Sequence, residues 1–420
     1  MKGSLGQISP FAMAALWFGA AVSMAEILTG GLLVAMDPQY AWLAIGLGHG
    51  LGALVFFGAA RLSWTRDRGA IAVCADSFGR PGTALFGSLN VLQLLGWTTV
   101  MIIAGADSMN RIITALGGPP VDWLWKLVLG AVLVAWVVGG LRHDSLINKL
   151  AAVFLLGLTA VTAIYLFGGL TGVGGAAAAG NPIPAAMPFG AGLELVVIMP
   201  LSWLPLVGDY TRPSRARGRA CLVAALAYAA GSSWMYLVGY GSAIHTGSAD
   251  PTTGLLANAG IIGGVAGLVV IVLSTVTTAF LDVLSAGVSA KTVLPSLKEA
   301  PTALVVAGLG TGLAIVVPMD HYQDFLYLIG SVFAPLYAVL LASRLTRRIQ
   351  KTMRSVVRSA IALLSWAAGL VLYYLLLNNL LFPNGTPLGI SIPVMAAVAV
   401  LHILLSLGAH SWKNLRSPAT

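Results

Sequence analysis

Residues 11–36 read FAMAALWFGAAVSMAEILTGGLLVAM, an apolar run with Glu26 near its middle and Thr29, Gly30 and Gly31 close behind it. The run has about the length that crosses a hydrocarbon core of ~30 Å. A carboxylate at that depth is costly unless it has a partner, a cavity or a proton. The Thr-Gly-Gly step predicts a place where the helix unwinds, because glycine tolerates non-helical dihedrals. An unwound turn frees backbone carbonyls that can hold a cation or a substrate. The plainer alternative is a buried glutamate paired to another helix with no ligand role.

Further apolar stretches follow at roughly 40–61, 82–108, 122–140, 146–168, 189–208, 218–244, 259–285, 301–318, 322–343, 356–381 and 388–408. Unpaired backbone groups in lipid cost several kcal/mol each, so these stretches are expected to be helices. The chain therefore reads as an all-α integral membrane protein with about twelve transmembrane helices. Charged residues make up 9% of the 420 and hydrophobic residues 58%. That charge is too sparse to cover a soluble domain of this size. The 50 glycines suit close helix packing in a bilayer.

Lys and Arg fix the expected orientation. They crowd every second gap, as in Arg61, Arg66, Arg68 and Arg80, or Arg344, Arg347, Arg348, Lys351, Arg354 and Arg358. Only Arg111 and Lys126 fall on the other side. Both termini are thus expected in the cytoplasm, in a multi-pass cytoplasmic-membrane protein. The net charge of +9 is explained by topology and lipid headgroups and calls for no nucleic acid.

Several classes are excluded or disfavoured. The first stretch is too long and too polar at its centre for a cleaved signal peptide. Cys74 and Cys221 make no disulfide framework, and the six histidines lack ligand spacing. No G-x-S-x-G, H-E-x-x-H or P-loop occurs, so an enzyme is not expected. The gap 169–188 is rich in Gly and Ala and reads as a loop or short gating segment.

Polar groups recur inside other stretches. Residues 194–212 read ELVVIMPLSWLPLVGDYTR, where Pro200 and Pro205 flank Ser202 and Trp203. Each proline removes a helix hydrogen bond, which predicts a broken helix. Interruptions in matched stretches of two halves point to a transporter site. Asp209 near Arg212 reads as a structural or gating pair. In VLSTVTTAFLDVLSAG, Ser274, Thr277 and Thr278 share a helix face that continues to Asp282. Hydroxyls bonding back to their own helix are the bland reading; the added carboxylate favours a polar cavity. Hard oxygens there, with carbonyls from the first stretch, would suit Na⁺. The third stretch carries Gln93, Gly96 and Trp97, whose indole could stack a planar ligand or simply pack.

The segments SWLPLVGDYTR, ALWFGAAVSMAEILTGG and STVTTAFLDVLSAGVSAK resemble the nucleobase–cation symporter (purine–cytosine permease) family, in its CytX-type hydroxymethylpyrimidine permease branch. The resemblance covers nearly the whole chain. It implies a LeuT-like fold with five-helix inverted repeats at 1–168 and 189–343 and two added helices at 356–408. It implies ring stacking on Trp97, with Trp203 substituting for an aromatic that relatives carry near Pro200. It further implies a Na⁺ site from the carbonyls of Val22 and Ala25 with Thr277, Thr278 and Ser274. The substrate set is then Glu26, Gln93, Trp97, Ser202, Trp203 and Asp282, with Glu26 or Asp282 reading an aminopyrimidine edge.

The expectation is a secondary transporter that imports a pyrimidine, hydroxymethylpyrimidine first, on a Na⁺ or H⁺ gradient. Cytosine or another nucleobase is the alternative cargo. A membrane-embedded sensor or enzyme, and less so a channel, is the alternative class.

Overall fold

The computed structural model describes residues 9–139, 186–212, 214, 218–246 and 251–416. The expected stretch at 146–168 and most of the gap after it lie outside the described residues. Every other predicted stretch coincides with helix. The first is split into α1 (Pro10–Ala21) and α2 (Met24–Leu32). Then come α3 (Pro38–Arg66), α4 (Ala75–Ala115) and α5 (Asp122–Val138). The sixth stretch is α6 (Phe189–Ser202) and α7 (Leu204–Thr211). After it follow α8 (Gly218–Thr246), α9 (Pro251–Val293), α10 (Glu299–Val316), α11 (Tyr322–Leu345), α12 (Ser355–Leu377) and α13 (Ser391–Arg416). Among the described residues, eight helices are long and apolar enough to cross a membrane, or nine with the bent α1–α2 pair.

The core is inverted relative to a water-soluble protein. Leu54, Val305, Leu364 and Leu404 are exposed, whereas Glu26, His49, Glu194 and Asp282 are buried. Lipid accepts the first group, and the second must find partners inside. α1 and α2 lie on α8, α3 packs on α6 and α8, and α4 runs along α9. α11 joins this body to α12 and α13.

The first helix breaks about two turns earlier than the glycines suggest. α1 ends at Val22 (φ −79°, ψ 87°), and extended Ser23 caps α2. The two halves meet at a 54° bend. Thr29, Gly30 and Gly31 instead lie within α2. Their smallness serves packing: a Cβ on Gly30 would overlap the Tyr236 backbone, and one on Gly239 the Ile27 carbonyl. α2 and α8 therefore touch backbone to backbone, a close approach that small residues permit in membranes. The third stretch also has a break near its N-terminal end, where Gly79 takes φ 69° just before Pro81.

Glu194 fastens the C-terminal helices to α6. Its Oε2 accepts from the backbone N–H groups of Ile390 and Ser391, each at 2.7 Å. Its Oε1 accepts from Ser391 Oγ at 2.6 Å and Tyr373 Oη at 2.9 Å. A carboxylate at the start of α13 also meets the positive end of that helix.

Gly239→Val should force α2 and α8 apart, lowering stability by about 1–3 kcal/mol. Gly19→Ala, which meets nothing within 4 Å, should be neutral. Thermal unfolding of the two purified variants followed by size exclusion checks the difference.

Candidate functional site

Each broken helix leaves backbone groups without their usual partners, and polar side chains take them up. In α6, the Trp203 N–H turns to the Pro200 carbonyl at 3.3 Å, releasing the carbonyl of Met199. Ser202 Oγ donates to that carbonyl at 2.7 Å. Leu206 N–H bonds Trp203 at 3.0 Å, which frees the Ser202 carbonyl. Gln93 Nε2 donates to it at 2.8 Å, and to Asn90 Oδ1 at 3.1 Å. The serine and glutamine thus stabilise the break itself.

The break in the first helix is satisfied from α9. Thr275 Oγ1 accepts from the Met24 N–H at 3.3 Å, and Thr278 Oγ1 donates to the Ala20 carbonyl at 3.4 Å. The sequence had singled out Thr278 but not Thr275. Thr277 is half-buried on the same helix, and the side chain of Ser274 lies outside the described residues. Val22 stands at the break itself, its N–H returning to Phe18 and Gly19. Ala25, also in the expected cation set, lies in the first turn of α2. Its carbonyl accepts from Thr29 Oγ1 at 2.7 Å and from Tyr322 Oη at 3.2 Å, which fills both lone pairs.

Between the two breaks lies a narrow pocket whose cavity of about 10 Å³ has room for about one water. Glu26, Trp97, Ser202, Trp203 and Asp282 line it, together with Ala20, Ser23 and two methionines, Met101 and Met199. Gln93 does not line it; its amide reaches the Ser202 carbonyl instead. Trp97 is braced edge-on by Phe325 at 5.3 Å and Tyr322 at 6.3 Å. Trp203 sits edge-on to Trp17 at 5.5 Å and Tyr228 at 6.0 Å. Among the described residues, no Lys or Arg lines the pocket.

The two carboxyl groups stand in opposite conditions. Glu26, 1% exposed, has both oxygens engaged by α8: Tyr228 Oη donates to Oε1 at 2.5 Å and Ser232 Oγ to Oε2 at 2.6 Å. Asp282, 2% exposed, has a buried Oδ2 with no hydrogen-bond partner among the described residues. Of the two, Asp282 offers the open acceptor. At the C-terminal end of α7, Asp209 Oδ1 accepts from the Ala70 N–H at 2.9 Å, while Arg212 faces Asp67 at 3.9 Å. The expected Asp209–Arg212 pair thus keeps its electrostatic attraction, while each member also contacts the connection after α3.

Sequence reasoning missed Tyr228, Ser232 and His49. A signal was present: Tyr228, Ser232 and Tyr236 recur every fourth residue, which sets them on one face of α8. His49 was passed over as isolated because its partner lies on another helix.

A family model described as permease for cytosine/purines, uracil, thiamine and allantoin matches residues 7–398. The chain belongs to that permease family. It is a multi-pass membrane transporter and not an enzyme. The fold of this permease is shared by Mhp1, a nucleobase-cation-symport-1 family transporter solved in a closed conformation with bromovinylhydantoin bound. The two are 18% identical at TM-score 0.76, covering 99% of this chain and 95% of that one. A Na⁺-coupled sialic acid symporter in a substrate-bound outward-open state aligns at TM-score 0.64 and 12% identity, covering 99% and 91%. Such identities speak for fold alone. A hydantoin permease from Microbacterium maritypicum is 26% identical over 199 residues, which is 45% of this permease and 39% of that relative.

Gln93→Ala should leave the Ser202 carbonyl unpaired at the break and destabilise the permease by about 1–3 kcal/mol. Thermal melts of the variant against wild type read this out directly.

Proposed function

We propose that this permease imports a flat aminopyrimidine across the cytoplasmic membrane on a cation gradient, with hydroxymethylpyrimidine the first candidate. The observation that carries the reading is the open, buried Oδ2 of Asp282 in a pocket shared with the Trp97 indole. Hydroxymethylpyrimidine presents an amino donor beside ring nitrogens. The amino group donates to Asp282, and a protonated ring nitrogen beside it adds a second, charge-assisted bond. Trp97 holds the ring face by offset stacking. Glu26, fully engaged by α8, shapes the pocket and does not read the amino edge. Ser202 and Trp203 close the pocket from the broken sixth stretch.

The wider frame is part of the same reading. Residues 1–168 and 189–343 form two inverted five-helix repeats, and 356–408 supplies two added helices. Both termini lie in the cytoplasm, and lipid surrounds the bundle. Access alternates as one group of helices rocks against the other around the midplane pocket.

A second reading is favoured by the hydantoin permease relative: a neutral imide ring as cargo. An imide edge sets carbonyl oxygens on both sides of its N–H. That pattern suits an amide side chain better than the bare carboxylate of Asp282.

Uptake of labelled hydroxymethylpyrimidine into liposomes holding the purified permease separates these readings. Unlabelled cytosine and hydantoin serve as competitors. Asp282→Asn should weaken aminopyrimidine uptake on the order of 10- to 100-fold, the loss of one charge-assisted bond, and improve competition by hydantoin. Trp97→Ala should weaken it roughly 10-fold. Unchanged uptake in both variants sinks the assignment.

A further inference from the structure

We infer that Glu26, Ser232 and His49 form a relay holding one exchangeable proton, and that this proton is the coupling ion. The inference rests on the transport reading above and deepens it by naming the cation.

Three short contacts make the relay. His49 Nδ1 lies 2.9 Å from the Ile45 carbonyl, His49 Nε2 lies 2.6 Å from Ser232 Oγ, and Ser232 Oγ lies 2.6 Å from Glu26 Oε2. Each joins two electronegative atoms and needs one hydrogen. The Ile45 carbonyl has none to give, so Nδ1 carries one. Ser232 supplies another. With a neutral imidazole and an ionised carboxylate the supply stops there, and one of the 2.6 Å contacts would set lone pair against lone pair. Moving the imidazole hydrogen to Nε2 only shifts the clash to the Ile45 carbonyl. Tyr228 cannot help, because its hydrogen goes to Oε1. The remaining hydrogen therefore sits on Glu26 Oε2 or on His49 Nε2.

The two placements interconvert in one concerted shift. The Oε2–H bond breaks as a new Oγ–H bond forms, and the original Oγ–H bond breaks as Nε2–H forms. Ser232 keeps one hydrogen throughout, and the trio stays neutral overall. Loss of the proton leaves one negative charge and a repulsive contact in a buried place. The titratable groups facing the relay are Tyr228 and Tyr236 from α8, Tyr322 from α11, and Asp282 from α9 across the pocket. None of them brings a positive charge. Glu26 sits in the first turn of α2 and borders the pocket, so release of the proton and a change of pocket shape are one event.

His402 supplies the contrast. Its Nε2 faces two donors, the Gln350 amide at 2.9 Å and the Ser343 hydroxyl at 3.0 Å, and its Nδ1 donates to Ser365 Oγ at 3.3 Å, whose own hydrogen goes to the Ile361 carbonyl at 2.8 Å. A neutral ring satisfies every one of these contacts, and no added proton is needed.

Glu26→Gln is the discriminating variant, because its amide supplies the missing hydrogen in a form that does not titrate. In detergent without cargo, a step from mildly acidic to alkaline pH should release about one more proton per chain from wild type than from Glu26→Gln. Ser232→Ala, which cuts the relay, should also release fewer protons than wild type, with thermal melts confirming that both variants fold. Equal release from wild type and Glu26→Gln overturns the relay. In liposomes without sodium, wild type should accumulate labelled hydroxymethylpyrimidine under an imposed inward proton gradient. Glu26→Gln should accumulate at least 10-fold less, and its remaining uptake should no longer respond to the imposed proton gradient. Wild-type accumulation that follows sodium and ignores pH overturns the coupling role while the transport reading stands. If the label does not move at all, the transport reading falls, and proton release alone decides the relay.

Discussion

A helix interrupted inside a bilayer must find substitute partners for the backbone groups it releases, because lipid supplies none. That constraint organises the centre of this permease. The Met199 and Ser202 carbonyls freed in the sixth stretch are met by a serine hydroxyl and a glutamine amide. The Met24 N–H and Ala20 carbonyl released in the first stretch are met by two threonines of α9. Polar side chains gather where the backbone is broken, and the pocket opens between those gatherings. Its contents follow from the same need.

The helical architecture was legible in the sequence because apolar length is a strong, local signal. The sixth stretch was also read correctly in kind, since two prolines within a few residues leave a helix little choice. The first stretch misled. Gly30 and Gly31 looked like the point of unwinding, but they serve the contact with α8, while Ser23 supplies a cap that starts a new helix. A glycine pair carries no mark in sequence to separate a flexible turn from a close approach. The difference lies in what faces it.

The site was legible only in part for a related reason. Glu26 and Asp282 stand out as intramembrane carboxylates, and both border the pocket. Their roles depend on neighbours far along the chain. Tyr228 and Ser232 lie on another helix some two hundred residues away, and they turn Glu26 inward and leave Asp282 as the open acceptor. Hydroxyls in membrane helices mostly bond to their own backbone, so these two looked ordinary until their oxygens were seen against a carboxyl group. Thr275 escaped notice for the same cause.

The lack of any basic side chain around the pocket among the described residues has an electrical consequence. No cationic side chain among the described residues stands there to balance the coupling proton, so each inward cycle of the proposed kind moves at least one unit of positive charge through the bilayer. Membrane voltage then adds about 2.3 kcal/mol per 100 mV to whatever the concentration difference provides. A cell with a negative interior would draw cargo in even when the acidity on the two sides is equal.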